Sequence, residues 1–325
     1  MDYVRLGKTG LEVSRICLGC MSFGDPAKGR DWTMTLEPAR PIIRAAWEAG
    51  INFFDTANVY AAGTSEEIVG TVLKELAPRD EIVLATKVNG EMRKGPNGRG
   101  QSRKAILSEI DNSLRRLQTD YVDLYQIHRF DYNTPIEETL EALDEVVKSG
   151  KARYIGASSM WAWQFMKMLA TQEANGWSRF VSMQNHLNLM YREEEREMLP
   201  LCIDQGIGVI PWSPLARGRL ARPWGEVTKR SETDPFGKSL YEATAASDEK
   251  INKAVGDVAK KHNATMAQVS LAWLLGKKPV TAPIVGVSKM EQLTDALGAI
   301  NVKLTDDDVK ALEAQYTPRA NAGFQ

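Results

Sequence analysis

The chain alternates between short apolar runs and longer amphipathic stretches. Runs at 15–19 (RICLG), 51–56 (INFFDT), 81–87 (EIVLATK), 121–128 (YVDLYQIH), 152–158 (ARYIGAS), 180–185 (FVSMQN), 207–212 (IGVIPW) and 280–286 (VTAPIVG) are rich in β-branched and aromatic residues. Their length and composition predict strands. Between them, apolar positions spaced three and four apart predict helices over 37–50, 65–76, 102–118, 135–150, 161–172, 193–206, 248–263, 266–276 and 289–300. Ser65 and Ser102 stand where N-caps belong, Pro135 falls in a first turn, and Gly50 and Gly150 follow last turns. Pro200 interrupts the pattern at 193–206, and the polar stretch 213–247 has no strong period.

Eight strand–helix units with near-continuous apolar strands imply a parallel sheet covered by helices. Eight units in this length favour a closed (β/α)8 barrel, an α/β fold, as one domain over 1–325. An open doubly wound sheet would carry G-x-G-x-x-G after its first strand, and LGCMSFG does not match. The opening YVRLGKTGLEVSRI, with Gly7 and Gly10, predicts a β-hairpin that closes the bottom of the barrel.

Composition narrows the class. Of 325 residues, 43% are apolar and 26% charged, with a formal charge of −1, so nothing points to nucleic acid or to a membrane surface. No signal-like segment or long apolar run stands out, and a cytoplasmic protein is expected. Three cysteines cannot make a disulfide framework. Cys17 and Cys20 form a C-x-x-C, but Gly19 and Gly24 predict a loop where a redox motif needs a helix. Two small buried side chains are the expected reading, and no metal-ligand set is seen.

In such barrels chemistry sits at the C-terminal strand ends. Strand two ends in Asp55 with Tyr60 beyond it, strand three in Lys87, strand four in His128, strand five in Ser158, strand six in Gln184 and Asn185, and strand seven in Trp212 and Ser213. A tyrosine hydroxyl is a weak acid, and a neighbouring ammonium favours its phenolate. Lys87 is placed to do this, with Asp55 holding Lys87 charged and His128 donating to a substrate oxygen or assisting proton delivery. Such a group suits a carbonyl accepting hydride, whose oxygen turns negative and needs a proton. Singly, Asp55 reads as a loop cap, Lys87–Asp55 as a rim ion pair and His128 as a satisfied core histidine. Together, four complementary groups on three successive strand ends read as a site. Tyr125 reads as core. Segment 213–247 supplies Ser213, Leu215, Arg217, Gly218, Arg219, Arg222, Lys229 and Arg230, a set suited to a phosphate-binding lid.

The motifs GINFFDTANVY, LATKV, YVDLYQIH, YIGASS, SMQNHLNL, PWSPLARG and PIVGVSKMEQL, in this order over nearly the whole length, resemble those of the aldo-keto reductases. SPLARGRL, EQL, MSFG and YREEEREMLPLC are most similar to a bacterial, YajO-type branch related to potassium-channel β-subunits. The resemblance implies an NADPH-dependent reductase without a Rossmann domain, with a tetrad at Asp55, Tyr60, Lys87 and His128 and Tyr60 as general acid. It implies nicotinamide contacts at Ser158, Ser159 and Gln184, with Trp212 stacked on the ring, although Ser159 replaces a common Asn. Further cofactor contacts are expected at Gly19, Cys20, Met21 and Asp55, along Ser213, Pro214, Leu215, Arg217, Gly218, Arg219, Lys229 and Arg230, and at Gly286.

The start of the last predicted helix, with Ser288, Lys289 and Gln292, resembles the pocket for the 2′-phosphate that distinguishes NADPH. Gln292 stands where many members have Arg, and Ala296 where many have Asn. A small-molecule carbonyl substrate is expected, and AKGRDWTMT, EMRKGPNGRGQ and TPRANAGFQ are its candidate contact loops. Two other functions are weighed. A channel-type redox-sensing subunit is disfavoured because His128 is present and no N-terminal inactivation peptide is visible. A Schiff-base aldolase on Lys87 is disfavoured because a paired Asp55 raises the lysine pKa.

Overall fold

The computed structural model describes residues 1–323, and of Lys229 and Arg230 only the backbone. A hairpin of β1 (Tyr3–Arg5) and β2 (Glu12–Ser14) opens the chain. Eight parallel strands follow: β3 (Cys17–Gly19), β4 (Phe53–Asp55), β5 (Val83–Val88), β6 (Val122–Ile127), β7 (Ala152–Ser158), β8 (Phe180–Gln184), β9 (Gly208–Val209) and β10 (Ile284–Gly286). They pair in the order β10-β3-β4-β5-β6-β7-β8-β9. A parallel bridge between Val209 and Val280 closes the ring, with Thr281 N donating to Val209 O at 2.7 Å. The predicted barrel and hairpin are both present.

Helices cover the outside: α1 (Leu36–Glu48), α2 (Thr64–Leu76), α3 (Arg103–Leu117), α4 (Ile136–Lys148), α5 (Ala162–Asn175), α6 (Met198–Gln205), α7 (Lys229–Thr233), α8 (Pro235–Tyr241), α9 (Ala245–Lys261), α10 (Met266–Gly276), α11 (Met290–Gly298) and α12 (Asp306–Glu313). The large core lies between these helices and the strands. A smaller one fills the barrel: Leu6 and Val13 of the hairpin region meet Cys17, Phe53, Val83, Leu124 and Ile210. Gly7 fits beneath the barrel because it has no side chain; at φ 58° a Cβ would lie 2.6 Å from Gly206 O.

The structure corrects the sequence reading at several places. Ser65 does not cap α2. It lies inside the helix, buried, and donates to Cys20 O at 2.8 Å; Gly63 holds the cap position without a side-chain bond. Ser102 does cap α3, accepting from Ala105 N. The helix expected over 193–206 is a 3-10 turn at Glu193–Glu195 followed by α6, which places Pro200 in a first turn where its missing N–H is harmless. The stretch 213–247 is not a plain loop, since α7 and α8 lie in it, each capped by its own residue, Thr228 and Asp234. Helix α12, capped by Thr305 with three aspartates in its first turn, had no counterpart in the pattern-based reading.

Candidate active site

The period-2 alternation of the strands builds a polar layer on top of the apolar barrel core. Phe53 and Leu124 face the core below, and two residues further on their strands carry Asp55 and Gln126. Lys87 Nζ donates to Asp55 Oδ1 at 2.5 Å and to Thr56 O at 2.7 Å, and its distance to Tyr60 Oη is 3.4 Å. Asp55 Oδ2 accepts from Gln126 Nε2 at 2.9 Å and Gln184 Nε2 at 3.0 Å. Gln184 also donates to Gln126 Oε1. Gly156 makes room for this network: a Cβ there would lie 2.3 Å from Ser182 Oγ and 3.2 Å from Gln126 Cγ.

Lys87 is wholly buried. Burial alone would lower its pKa, but Asp55 and the Tyr60 hydroxyl more than offset this, and the net direction is up. The lysine is therefore an ammonium, which removes the Schiff-base reading, since that chemistry needs a free amine. His128 goes the other way. Burial, then the neighbouring Arg129 and Lys87 charges, push its pKa well below the usual histidine value. Its ring lies edge-on to Tyr60, centroids 5.7 Å apart, so a neutral imidazole faces the phenol.

Tyr60 is positioned by an unusual turn. Ala61 and Ala62 both take left-handed backbone, φ 47° and 52°, before Gly63 at φ 94°. Left-handed alanine costs about 1–2 kcal/mol per residue. Thr64 holds the turn, donating to Ala61 O and accepting from Asp25 N, both at 2.8 Å.

The residues expected at the nicotinamide end gather around Trp212. Ser159 Oγ accepts from Trp212 Nε1 at 2.9 Å. Ser158 Oγ donates to Gln184 O at 2.8 Å. One face of Trp212 stacks on His186 at 4.2 Å, and His186 stacks in turn on Tyr191 at 4.1 Å. Near the same ring lie Phe236, the Arg129 guanidinium at 5.6 Å and the backbone of Gly323. Asn185 is also buried here, its main-chain O accepting from Trp212 N.

The expected phosphate lid is partly committed elsewhere. Arg217 bonds to Asp234, which also takes Arg30. Arg219 lies over the Trp224 and Tyr241 rings. Ser213, Arg217 and Gly218 all have positive φ, Pro214 is buried, and Leu215 is half-buried. The side chains of Lys229 and Arg230 lie outside the described residues, as do the last two residues of TPRANAGFQ. At the last strand end Gly286 is exposed beside buried Gly19. Cys20 is sealed in the core with burial raising its thiol pKa, Cys17 likewise, and Met21 is half-buried. Both cysteines are free. Lys289 is exposed at the start of α11, while Gln292 folds back so that its Oε1 accepts from Ser288 N at 2.7 Å and Ser288 Oγ at 3.2 Å.

Sequence reasoning missed Gln126, Arg129, His186 and Tyr191. Gln126 was findable: it sits two residues before His128 and so shares its face of the strand. His186 and Tyr191 had no local signal, because the stack that marks them runs on to Trp212, beyond β9.

The profile of the aldo/keto reductase family matches residues 15–317, and the chain belongs to that family. It is 44% identical to versiconal hemiacetal acetate reductase of Aspergillus parasiticus, covering 98% of both chains. It is 44% identical to a Schizosaccharomyces pombe protein named provisionally as an aryl-alcohol dehydrogenase, covering 97% of this chain and 96% of that one. It is 40% identical to the aldo-keto reductase AMT2 of Alternaria alternata, covering 99% and 93%. These relatives are fungal, and they lend no support to the bacterial branch expected from the motifs.

Proposed function

We propose that the protein is an NADPH-dependent carbonyl reductase in which Tyr60 protonates the oxygen of an aldehyde or ketone. The observation that carries this is the Lys87 ammonium, buried, paired with Asp55 and 3.4 Å from Tyr60 Oη. A bound nicotinamide cofactor supplies the hydride. Tyr60 gives its proton to the carbonyl oxygen as negative charge builds there. Lys87 stabilises the phenolate left behind, a fixed charge in a water-poor site where it acts strongly. Asp55, with three donors besides its own burial, keeps Lys87 charged and aimed. His128, neutral, donates an N–H toward the same oxygen and does not serve as a proton store.

The residues present suit a dinucleotide. Gly286 leaves its backbone bare where β10 meets β3, and a Cβ there would have only Gly19 O near it, at 3.7 Å. The N-terminus of α11 offers backbone N–H groups with Ser288 and Lys289 beside them, which suits a 2′-phosphate. Ser158, Ser159, Gln184 and Trp212 would hold the nicotinamide end, and the backbone of 213–219 the pyrophosphate.

The name of one relative, an aryl-alcohol dehydrogenase, favours aromatic carbonyls over the sugar-derived ones that the bacterial resemblance suggested. The test is loss of NADPH absorbance with a panel of aromatic, aliphatic and sugar aldehydes, repeated with NADH. Turnover of none of them sinks the reading. Faster turnover with NADH sinks its cofactor half.

A further inference from the structure

One charge at the mouth is not used by the chemistry above. Arg129 follows His128 and is half-buried, yet no carboxylate pairs with it among the described residues. Its partners are neutral oxygens. Nη1 donates to His128 O at 2.6 Å and to Ser158 Oγ at 3.3 Å, and Nε donates to Gly323 O at 3.0 Å. Nη2 has no hydrogen-bond partner among the described residues. Among the described residues the guanidinium that presses on it, Arg217, is already held by Asp234. A half-buried guanidinium set on neutral oxygens, with no carboxylate beside it among the described residues, is available to an anion.

The guanidinium lines a cavity of about 430 Å³ with Phe130, Tyr132, Ser159, Phe236 and Leu240, roofed by residues 321–323. That size falls in the ~300–1,000 Å³ range of small-molecule sites. Aromatic walls with a single cation match a flat ring carrying one negative charge. The Nη1 bonds fix the guanidinium from one side. The other edge, Nε with Nη2, is the fork that a carboxylate grips with both oxygens. At present it meets a single main-chain carbonyl.

We propose that Arg129 is a substrate-recognition residue, and that the preferred substrates are aryl aldehydes or ketones bearing a carboxylate, which replaces Gly323 O on the Nε–Nη2 edge. The proposal rests on the carbonyl-reductase reading for the word substrate, but not for the anion site itself.

Two measurements test it on the full chain, the first saturated with NADP+ and the second with NADPH. The first is calorimetric titration with benzoate against benzamide. Benzoate should bind at least about tenfold tighter, and Arg129→Gln should erase the difference. Equal affinities in the parent protein overturn the proposal without any variant. The second is kcat/KM for 4-carboxybenzaldehyde relative to 4-methylbenzaldehyde. Arg129→Gln should lower this ratio by about 10- to 100-fold. Should Arg129→Gln fail to fold, Arg129→Lys keeps the charge but loses the fork, and should lower the ratio by a smaller factor. A ratio unmoved by substitution overturns the proposal while leaving the reductase reading intact. Arg129-dependent benzoate binding with neither aldehyde reduced sinks the reductase reading and leaves the anion site standing.

Discussion

The two ends of the site differ in how their polar groups are already satisfied. At the catalytic end, Asp55, Lys87, Gln126 and Gln184 satisfy one another in the arrangement the chemistry requires. At the cofactor rim the groups are satisfied by the wrong partners. Arg217 is on Asp234, and Gln292 covers Ser288 N. The catalytic end is built on strand ends, where backbone pairing fixes each Cα, while the rim is built on turns and short helices. On the proposed reading, proton chemistry here is preorganised, whereas cofactor binding exchanges bonds. Substitutions at the first end should act on rate and stability, and those at the second on affinity.

The largest effect should come from Tyr60→Phe. The ring keeps its edge contact with His128, but the proton is gone. Turnover should fall about 10²- to 10⁴-fold, with NADPH affinity, read by fluorescence titration, close to that of the parent. A variant turning over at the parent rate would move the acid elsewhere. A collapse of cofactor affinity would show that the two ends are not separable.

Lys87→Met probes the same end through stability. Removing one member of a buried ion pair leaves Asp55 charged and buried with only two amide donors. Such losses cost about 3–5 kcal/mol, readable as a shift in the urea midpoint at pH 7. The double variant Lys87→Met with Asp55→Leu should recover part of it, because the stranded charge is then absent. If the single variant is as stable as the parent, the pair is not what holds this end rigid.

These predictions concern the part of the molecule most legible in the sequence. Every barrel strand is readable because each is an apolar run bounded by a turn, and Asp55, Lys87 and His128 are readable because strand ends are where such runs stop; Tyr60 lies beyond, in a turn. What could not be read were bonds between distant segments. Ser65 looks like a cap because a hydroxyl before a helical period usually is one. Here the helix begins one residue earlier, and tertiary contact with Cys20 O takes the hydroxyl. Helices α7 and α8 are too short to show a period, and the cap of α8, Asp234, also gathers Arg217 and Arg30 from elsewhere in the chain. Arg129 is silent in sequence, since an arginine in a loop usually faces solvent.

A third prediction compares a histidine from each end. His128 at the catalytic end and His186 beneath Trp212 both have pKa values pushed well down, chiefly by burial. In the unfolded chain both titrate near the ordinary ~6.5. Below that pH the unfolded state binds protons that the folded state refuses, so stability falls as pH falls. Above it, neither histidine contributes any slope. Each should add about 1.4 kcal/mol per pH unit below ~6.5. Urea midpoints of the parent and of His128→Asn, taken from pH 7.5 to 5.5, isolate one share: the variant's slope should be shallower by that amount. Identical slopes would mean that His128 takes a proton in the folded protein, and the neutral-donor role would go with it.

The smallest effect should lie at the rim, and Gln292 is its sharpest probe. The Gln292 Oε1 now accepts from Ser288 N and Oγ, the groups proposed for the 2′-phosphate, so it competes with that phosphate. Gln292→Ala frees them. The local bonds lost should lower stability by about 1 kcal/mol. In return the preference for NADPH over NADH, as a ratio of dissociation constants, should rise a few-fold, because the N–H no longer has to leave a partner to meet the phosphate. Lys289→Ala should move the same ratio in the opposite direction by about tenfold, since an exposed ammonium is free to reach the phosphate and loses nothing by doing so. If Gln292→Ala lowers the ratio instead, the amide is itself a phosphate ligand, and this part of the rim is preorganised after all.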